Sequence, residues 1–570
     1  MIGANLVRIV VALFVIGETA ACKFPFPADV MEDPDASTSA EAALRTVTVN
    51  VDPQVGSGIV TASTIGIDCG SSCTAEVAEG TRIAFMASPA EGAAFVGWRE
   101  DAQACGTSIT CELAVAQRPL MVGARFAPTG TAAWIAQLGG SSIDEMTHVA
   151  ADGAGNVVVA GHFRGGITFE ETNYQESGML LAKIAPSGDV IWHRVLPGLI
   201  LPDAALAGLA IHRPTGDIIL FGSFTSTVDL GGPNPLQLPA GDVRDAYVAR
   251  LGPEGTWKWQ RHIKASDDEE HVLGGVAVDG AGEVYVTGAF TTSMDLGDGA
   301  ISSASQEVFV ARLSSESGLV VWKKKVGGVN GSHLANAIAV DAFDHLVIGG
   351  EFSGQSNFGS VPLMASGVRD GFVVAYSANS GNFRWQKQIG GTGDDSVRSL
   401  AIDANPQVYV GLSFSAVAGE TMMFAGSPVV GTGGSATEIV IGALGAQNAN
   451  VVWARRYGSS GMDAPQAVTI LADSSVGVVG HYGGDIIIGT TTLPHAGGPD
   501  GLLVRMSSSG SPTFAGRVSS GAADLVVSIA GTSTAVVTTG RIAAQASVFG
   551  KTVTPVGGTD GIAASLILPP

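Results

Sequence analysis

The chain has 570 residues, of which 78 are glycine and only 14% are charged. That length leaves room for several domains and an ample core, and the glycine-rich, charge-poor balance fits many short strands and tight turns rather than a helical enzyme. Acids outnumber bases by 52 to 30, a net charge of -22, which argues against nucleic acid or an anionic membrane as partner, because phosphate binding needs clustered Lys and Arg.

The first 22 residues carry an address. Arg8 precedes the apolar run IVVALFVI at 9–16, too short to span a bilayer, and small residues follow it. Residues 1–22 therefore read as a secretory signal. Thr19-Ala20-Ala21-Cys22 resembles the bacterial lipobox, although Thr19 stands where that motif prefers Leu, Val or Ile. The resemblance implies lipidation at Cys22 and a site at the bacterial outer membrane or cell surface. Ordinary cleavage at a nearby small residue is the alternative. Residues 23–44, rich in Pro, Ala and acids and without periodicity, read as a flexible linker.

Residues 45–128 read as a small β domain. TVTVNVD and RIAFMASP alternate apolar and polar residues with period two. The domain holds Cys69, Cys73, Cys105 and Cys111, an even set in an exported chain, so two disulfides are expected. Four cysteines allow three connectivities; the local one, 69 with 73 and 105 with 111, is our expectation. Their spacing does not suit the tight pairs of a zinc ribbon. The pieces Ile67-Asp68-Cys69-Gly70, Phe95-Val96-Gly97-Trp98 and 120–126 resemble the divergent internalin-B-type repeat of bacterial surface proteins. That resemblance implies a small all-β or grasp-like spacer or adhesion unit, with Trp98 in its core.

From Thr131 to the end one pattern recurs. An apolar strand ends in Ala-x-Asp, a second ends in Gly-x-aromatic, a third begins with an acid, and a fourth centres on an aromatic. Those aromatics are Trp134, Trp192, Trp259, Trp322, Trp385, Trp453 and Phe514. An all-strand repeat of this length is the mark of propeller blades. Second strands such as NVVVAGHF (156–163) and HLVIGGEF (345–352) are almost continuously apolar, as expected of strands covered on both faces. The pattern resembles the seven-bladed bacterial β-propeller repeat family, and the last repeat departs most, with Ala530-Gly531 for Ala-x-Asp and Ile542 for Phe. The resemblance implies an all-β, seven-bladed propeller over 131–570 and a surface location, but little chemistry. The region enters with an isolated Trp strand at 132–140 and its last repeat lacks one. A velcro closure is therefore expected, with Trp134 beside Leu566.

Acids recur at two places per repeat. Asp144, Asp203, Asp268, Asp395, Asp463 and Asp524 precede inner strands; Asp245, Glu307, Asp370, Glu438, Asp500 and Asp560 precede third strands. In a propeller both loop types share one face, which is predicted to be acidic. Their recurrence points to turn capping by side chains that accept backbone N–H bonds; a cation site, with calcium the candidate ion, is the competing reading. Bases gather on the outer strand, at Lys258, Arg261, Lys323 to Lys325, Arg384, Lys387, Arg455, Arg456 and Arg517. There they guard an exposed edge against pairing. No zinc-protease helix, nucleophile elbow, P-loop or EF-hand loop occurs, and His148, His162, His212, His271, His333 and His481 lack metal-ligand spacing. No catalytic residue and no resident cofactor is expected. The chain reads as a monomeric, surface-anchored scaffold that binds protein or polysaccharide. An exported glycan lyase or hydrolase, with Asp268, Glu270, His271 and His333 clustered at the channel mouth, is the alternative, and a purely structural envelope component is a third reading.

Overall fold

The computed structural model describes residues 43–52, 58–70, 72–199, 205–239, 244–265, 272–415, 421–430 and 437–568. Residues 1–22, with Cys22, and nearly all of 23–44, read from sequence as signal and linker, lie outside the described residues, as do Asp203, Asp268, Glu270 and His271. Leu44–Pro570 is one compact unit. Among the described residues there is no α-helix, only two short 3-10 turns, and no helix long and apolar enough to cross a membrane.

The small domain is two stacked four-stranded sheets. In one, strand Leu44–Val51 lies between Ser72–Ala78, antiparallel, and Leu120–Pro128, parallel, with Ala93–Glu100 beyond. The other is ordered Ile67–Cys69, Gly58–Ala62, Arg82–Pro89 and Thr110–Ala114. The period-two pattern explains the burial: Val47, Val49 and Val51 face inward while the residues between them are less buried. Trp98 is buried in this core, its ring 5.2 Å from that of Phe95 and its indole N–H donating to Ser108 O at 2.6 Å. Disulfides join Cys69 to Cys73 and Cys105 to Cys111.

The rest is a succession of antiparallel sheets, each running inner, second, third, outer strand. The first comprises Glu145–Ala151, Val157–Phe163, Gly178–Ile184 and Val190–Pro197. Later inner strands are Leu206–His212, Val272–Val278, His333–Val340, Ser396–Ile402, Ala464–Ile470 and Leu525–Gly531. Each inner strand touches the next, and Leu525–Gly531 returns to Glu145–Ala151. In the last sheet the outer place is taken by Ala132–Leu138, which pairs antiparallel with Asp560–Leu566 and sets Trp134 opposite Ser565. Each inner strand slips register once against its neighbour, as between Met146 and His148, a β-bulge beyond which the pairing resumes toward the acidic loops.

The outer strands are not bare along their whole length. The hairpin Ser293–Asp295/Ala300–Ser302, from the loop of the following repeat, pairs with the end of Trp257–Ala265, Lys264 opposite Asp295. Similar hairpins cap Val320–Asn330, Phe383–Gly390 and Pro512–Ser519.

The repeat aromatics join neighbouring sheets. Each indole N–H donates to a backbone carbonyl in the next hairpin: Trp134 to Pro186, Trp192 to Pro253, Trp259 to Ser315, Trp322 to Ala378, Trp385 to Ala446 and Trp453 to Ser508, at 2.6–3.1 Å. The ring lies beneath a residue with positive φ in that hairpin. At Gly318 φ is 66°, and an added Cβ would stand 2.6 Å from the Trp259 ring, so only glycine fits. Ala449, φ 54°, occupies the corresponding turn above Trp385. Phe514 has no N–H to give.

The small domain is docked on this array, not held apart from it. Arg99 grips Asp189 of the first sheet's hairpin with Nη2–Oδ1 at 2.7 Å and Nε–Oδ2 at 2.9 Å. Arg125 donates to Ser187 O, and Thr107 meets Ser533 of the last sheet at 2.9 Å. Val96 and Ala127 join one apolar cluster with Trp134, Val157, Ala530 and Val537. Burial works against the Asp189 carboxylate, but its Arg99 and Ser187 hydrogen bonds outweigh that and hold its pKa below the ordinary value.

Candidate functional site

The recurrent acids lie inside the junctions between successive sheets. Asp144, Asp370, Asp395, Asp463, Asp500, Asp524 and Asp560 have no exposed surface, Asp245 and Glu438 have 1%, and Glu307 has 6%. The sequence pattern predicts an acidic face; the carboxylates are instead turned into the protein. Turn geometry is the cause. The third-strand acids Asp370, Asp500 and Asp560 each accept the N–H four residues back, from Ser366 at 3.0 Å, Ala496 at 2.9 Å and Val556 at 2.8 Å. Of the acids before inner strands, Asp395 accepts from Gly391 N at 2.6 Å and Ser415 N at 3.0 Å, and Asp463 from Ser459 N at 2.5 Å and Gly483 N at 3.0 Å. Asp144 accepts from Arg164 N and Asp524 from Ala543 N, both at 3.2 Å.

A column of outer-strand side chains faces these acids; its bases Lys325, Arg456 and Arg517, expected to guard an exposed edge, are turned to the buried carboxylates instead. It stands three residues after the repeat aromatic on the outer strand. His262 Nε2 lies 2.5 Å from Asp245, and Lys325 Nζ 2.8 Å from Glu307. Arg456 pairs with Glu438, and Arg517 lies close enough to Asp500 to oppose the rise that burial imposes on its pKa. In two junctions the column is a neutral amide: Gln388 beside Asp370, and Gln137 with Nε2 2.5 Å from Asp560. In the first sheet Gly178 opens the third strand, and Val195 occupies the column. The residue types therefore vary together, acid with base or amide, no acid with no polar partner. His333 replaces the inner-strand acid beside Glu307; its Nδ1 lies 3.0 Å from Gln306 O. Burial, aided by the neighbouring Asp560 carboxylate, pushes Asp144 up to about 6, and burial also raises Asp463, Asp500 and Asp524.

The histidines have structural surroundings. His162 is buried, with Nδ1 3.1 Å from Leu199 O and Nε2 accepting from Leu206 N at 3.4 Å. His212 links Thr215, at 2.8 Å, to Gly280 O, at 3.2 Å. Burial lowers the pKa of His148 to about 4 and also lowers those of His162 and His481, so all three are neutral near pH 7. Among the described residues no three His, Cys, Asp or Glu side chains converge as a metal site. Of Asp268, Glu270, His271 and His333, expected to cluster only if the protein were an enzyme, His333 alone lies among the described residues.

One surface groove breaks the repeat. It has a volume of about 420 Å³ and is lined by Pro233, Pro235, Trp257, Gln260, Arg261 and Lys264, among others. Trp257 sits two residues before the repeat Trp259, where no other repeat has a tryptophan. Its N–H donates to Gln260 Oε1 at 3.2 Å, and Gln260 Nε2 fixes the proline loop through Asn234 O at 2.6 Å. Gly232 lies so close over the indole that a Cβ would stand 2.6 Å from Nε1. Arg261 is half-buried and donates to Ser317 O at 2.9 Å, whereas Lys264 is exposed. The groove thus offers an aromatic wall, an amide and two cations on an otherwise acidic protein. Sequence reading missed it because Trp257 is adjacent to the repeat position and merges with it.

Residues 57–130 match the divergent InlB B-repeat domain. The chain is 23% identical over 236 residues to an uncharacterised WD repeat-containing protein of Acanthamoeba polyphaga mimivirus; the match takes in 34% of this chain and 16% of that protein's length. Among solved structures, BamB from Moraxella catarrhalis aligns over 74% of this chain and 85% of its own, with 11% identity and a TM-score of 0.31. The Dos1 propeller aligns over 75% and 94%, with 10% identity and a TM-score of 0.37. Quinohemoprotein alcohol dehydrogenase from Comamonas testosteroni aligns over 76% and 77%, with 12% identity and a TM-score of 0.35.

Proposed function

We propose that this protein is an exported, lipid-anchored binding scaffold of the bacterial outer membrane or cell surface. In this reading its sheets are the blades of a seven-bladed propeller that Ala132–Leu138 closes. It engages a polysaccharide through the Trp257 groove, with a protein partner as the competing occupant. The leader and Cys22 support export and anchoring. The groove carries the binding reading, because it is where one repeat departs from the others in favour of an indole, an amide and bases. An aromatic wall stacks on the apolar face of a sugar ring, and Lys264 and Arg261 suit a sugar carboxylate.

Affinity electrophoresis of the full chain in gels cast with alginate or dextran tests this. Alginate is expected to retard the wild type, dextran to do so less, and Trp257→Ala to abolish the retardation with unchanged thermal unfolding. Equal mobility of wild type and Trp257→Ala in both gels overturns the polysaccharide reading. For the anchor, Cys22→Ser is expected to move the protein from the membrane to the soluble fraction; retention in the membrane overturns lipidation.

A further inference from the structure

The register slip of each inner strand leaves one residue without a partner in the second strand: Thr147, Ala207, Gly274, Asn336, Arg398, Gln466 and Val527 in turn. A bulge re-aims the side chain it carries. All but Arg398 are neutral, and the polar ones are used within the protein. Thr147 donates to Ala160 O at 3.5 Å, Asn336 to Val397 O at 3.0 Å, and Gln466 Nε2 lies 3.5 Å from His481 Nδ1. Arg398 is the one Lys or Arg in any of the inner strands. It is exposed between the buried Val397 and Ser399.

Among the described residues no carboxylate pairs with Arg398 and no group accepts its N–H bonds. Other charges at the acidic-loop end of the sheets are matched: Arg369 with Glu351 and Asp394, Arg456 with Glu438, and Arg541 with Glu145. Asp395 and Asp463, in the loops before the two inner strands concerned, accept backbone N–H bonds. The next inner strand, Ala464–Ile470, lies against that of Arg398 and sets Ala464 opposite His481. Burial, and after it the Arg398 charge, lowers the His481 pKa, so this ring is neutral near pH 7. With the Gln466 amide at Nδ1, its proton sits on Nε2, which has no acceptor among the described residues. One guanidinium and one imidazole N–H therefore stand together with nothing to donate to.

We propose that Arg398, with His481 and Gln466, binds a small hydroxylated carboxylate in the space that the inner strands surround. The planar guanidinium offers two parallel N–H bonds to a carboxylate, and His481 Nε2 offers a third. One positive charge with neutral donors matches a monoanion; sulfate would bring a second negative charge to a chain of net charge -22. The Gln466 amide oxygen is left to accept from a ligand hydroxyl. No aromatic stands among the bulge residues, so the site lacks the stacking wall of the Trp257 groove, which lies on an outer strand, and does not depend on that groove.

The test is isothermal titration of the full chain carrying Trp257→Ala, which removes the groove's aromatic wall, with sodium D-glucuronate, glucose and sodium sulfate at matched ionic strength and neutral pH. Glucuronate is expected to bind saturably, glucose not to bind, and sulfate to bind more weakly. Adding Arg398→Gln is expected to lower glucuronate affinity about tenfold or more, with thermal unfolding unchanged because the side chain is exposed. Arg398→Lys keeps the charge without the fork and is expected to fall between the two; His481→Ala is expected to weaken binding severalfold. No saturable binding of glucuronate, or binding that Arg398→Gln leaves unchanged, overturns the proposal. Sulfate binding as tight as glucuronate overturns the carboxylate assignment. Because Trp257 is already replaced, none of these results bears on the polysaccharide reading of the groove.

Discussion

Trp385→Phe isolates the indole bond between neighbouring sheets. Trp385 is 8% exposed and donates to Ala446 O at 2.6 Å. Phenylalanine keeps an aromatic ring but removes the donor. A carbonyl left buried without a partner costs about 1–3 kcal/mol, more than the about 0.5–1.5 kcal/mol of a net hydrogen bond, so the loss should be about 1–3 kcal/mol. The smaller ring adds to it by leaving space beneath Ala449. Trp257→Phe is the control, because its N–H goes to a half-exposed glutamine at 3.2 Å and should cost under about 1 kcal/mol. Urea unfolding by fluorescence and circular dichroism reads both, provided the two probes coincide. If Trp385→Phe costs no more than the control, the indole bonds do not hold the sheets together and the repeat tryptophans act through ring packing alone.

Gly318→Ala should cost about 2–4 kcal/mol, since the positive φ disfavours any Cβ and the Trp259 ring blocks it; an unchanged urea midpoint refutes this. Asp189→Asn removes the anion that Arg99 grips, so limited proteolysis should release the small domain faster than from wild type, with equal rates as the refuting result. Asp144 has a folded pKa of about 6, above its unfolded value. The stability it contributes is therefore present at low pH and is lost as pH rises through the folded pKa, by about 3 kcal/mol between about pH 4 and pH 6. Asp144→Asn should flatten that part of the pH profile; a profile identical to wild type refutes the assignment.

The parts legible in the sequence are those that repeat. Trp134 to Trp453 mark outer strands because each meets the same environment, and the even set of four cysteines pointed to two bridges, which the structure pairs locally. The acids of the loops are equally periodic, but period alone does not tell a capping carboxylate from an exposed one. Asp395 differs from a surface aspartate in meeting the N–H groups of Gly391 and Ser415, which the bulge and turn bring to it. The bases Lys325 and Arg456 were visible but read as edge guards, and their register with His262 and Gln388 was missed, since four residue types in one column look like noise until their acid partners are known. Arg99 with Asp189 was illegible for a different reason: the two are far apart in sequence and joined only by the docking of one domain on another.

The place of Leu44–Val51 has a mechanical consequence. It is an interior strand, hydrogen-bonded on one side to Ser72–Ala78 and on the other to Leu120–Pro128. A pull applied from the N-terminal side runs along that strand and loads both ladders at once, in shear. No ladder opens one bond at a time, as a peripheral strand would. The force then passes through Arg99 and Thr107 into hairpins of the first and last sheets. The contacts of the small domain thus share such a load between the first and last sheets, so that Ala132–Leu138 does not carry it alone.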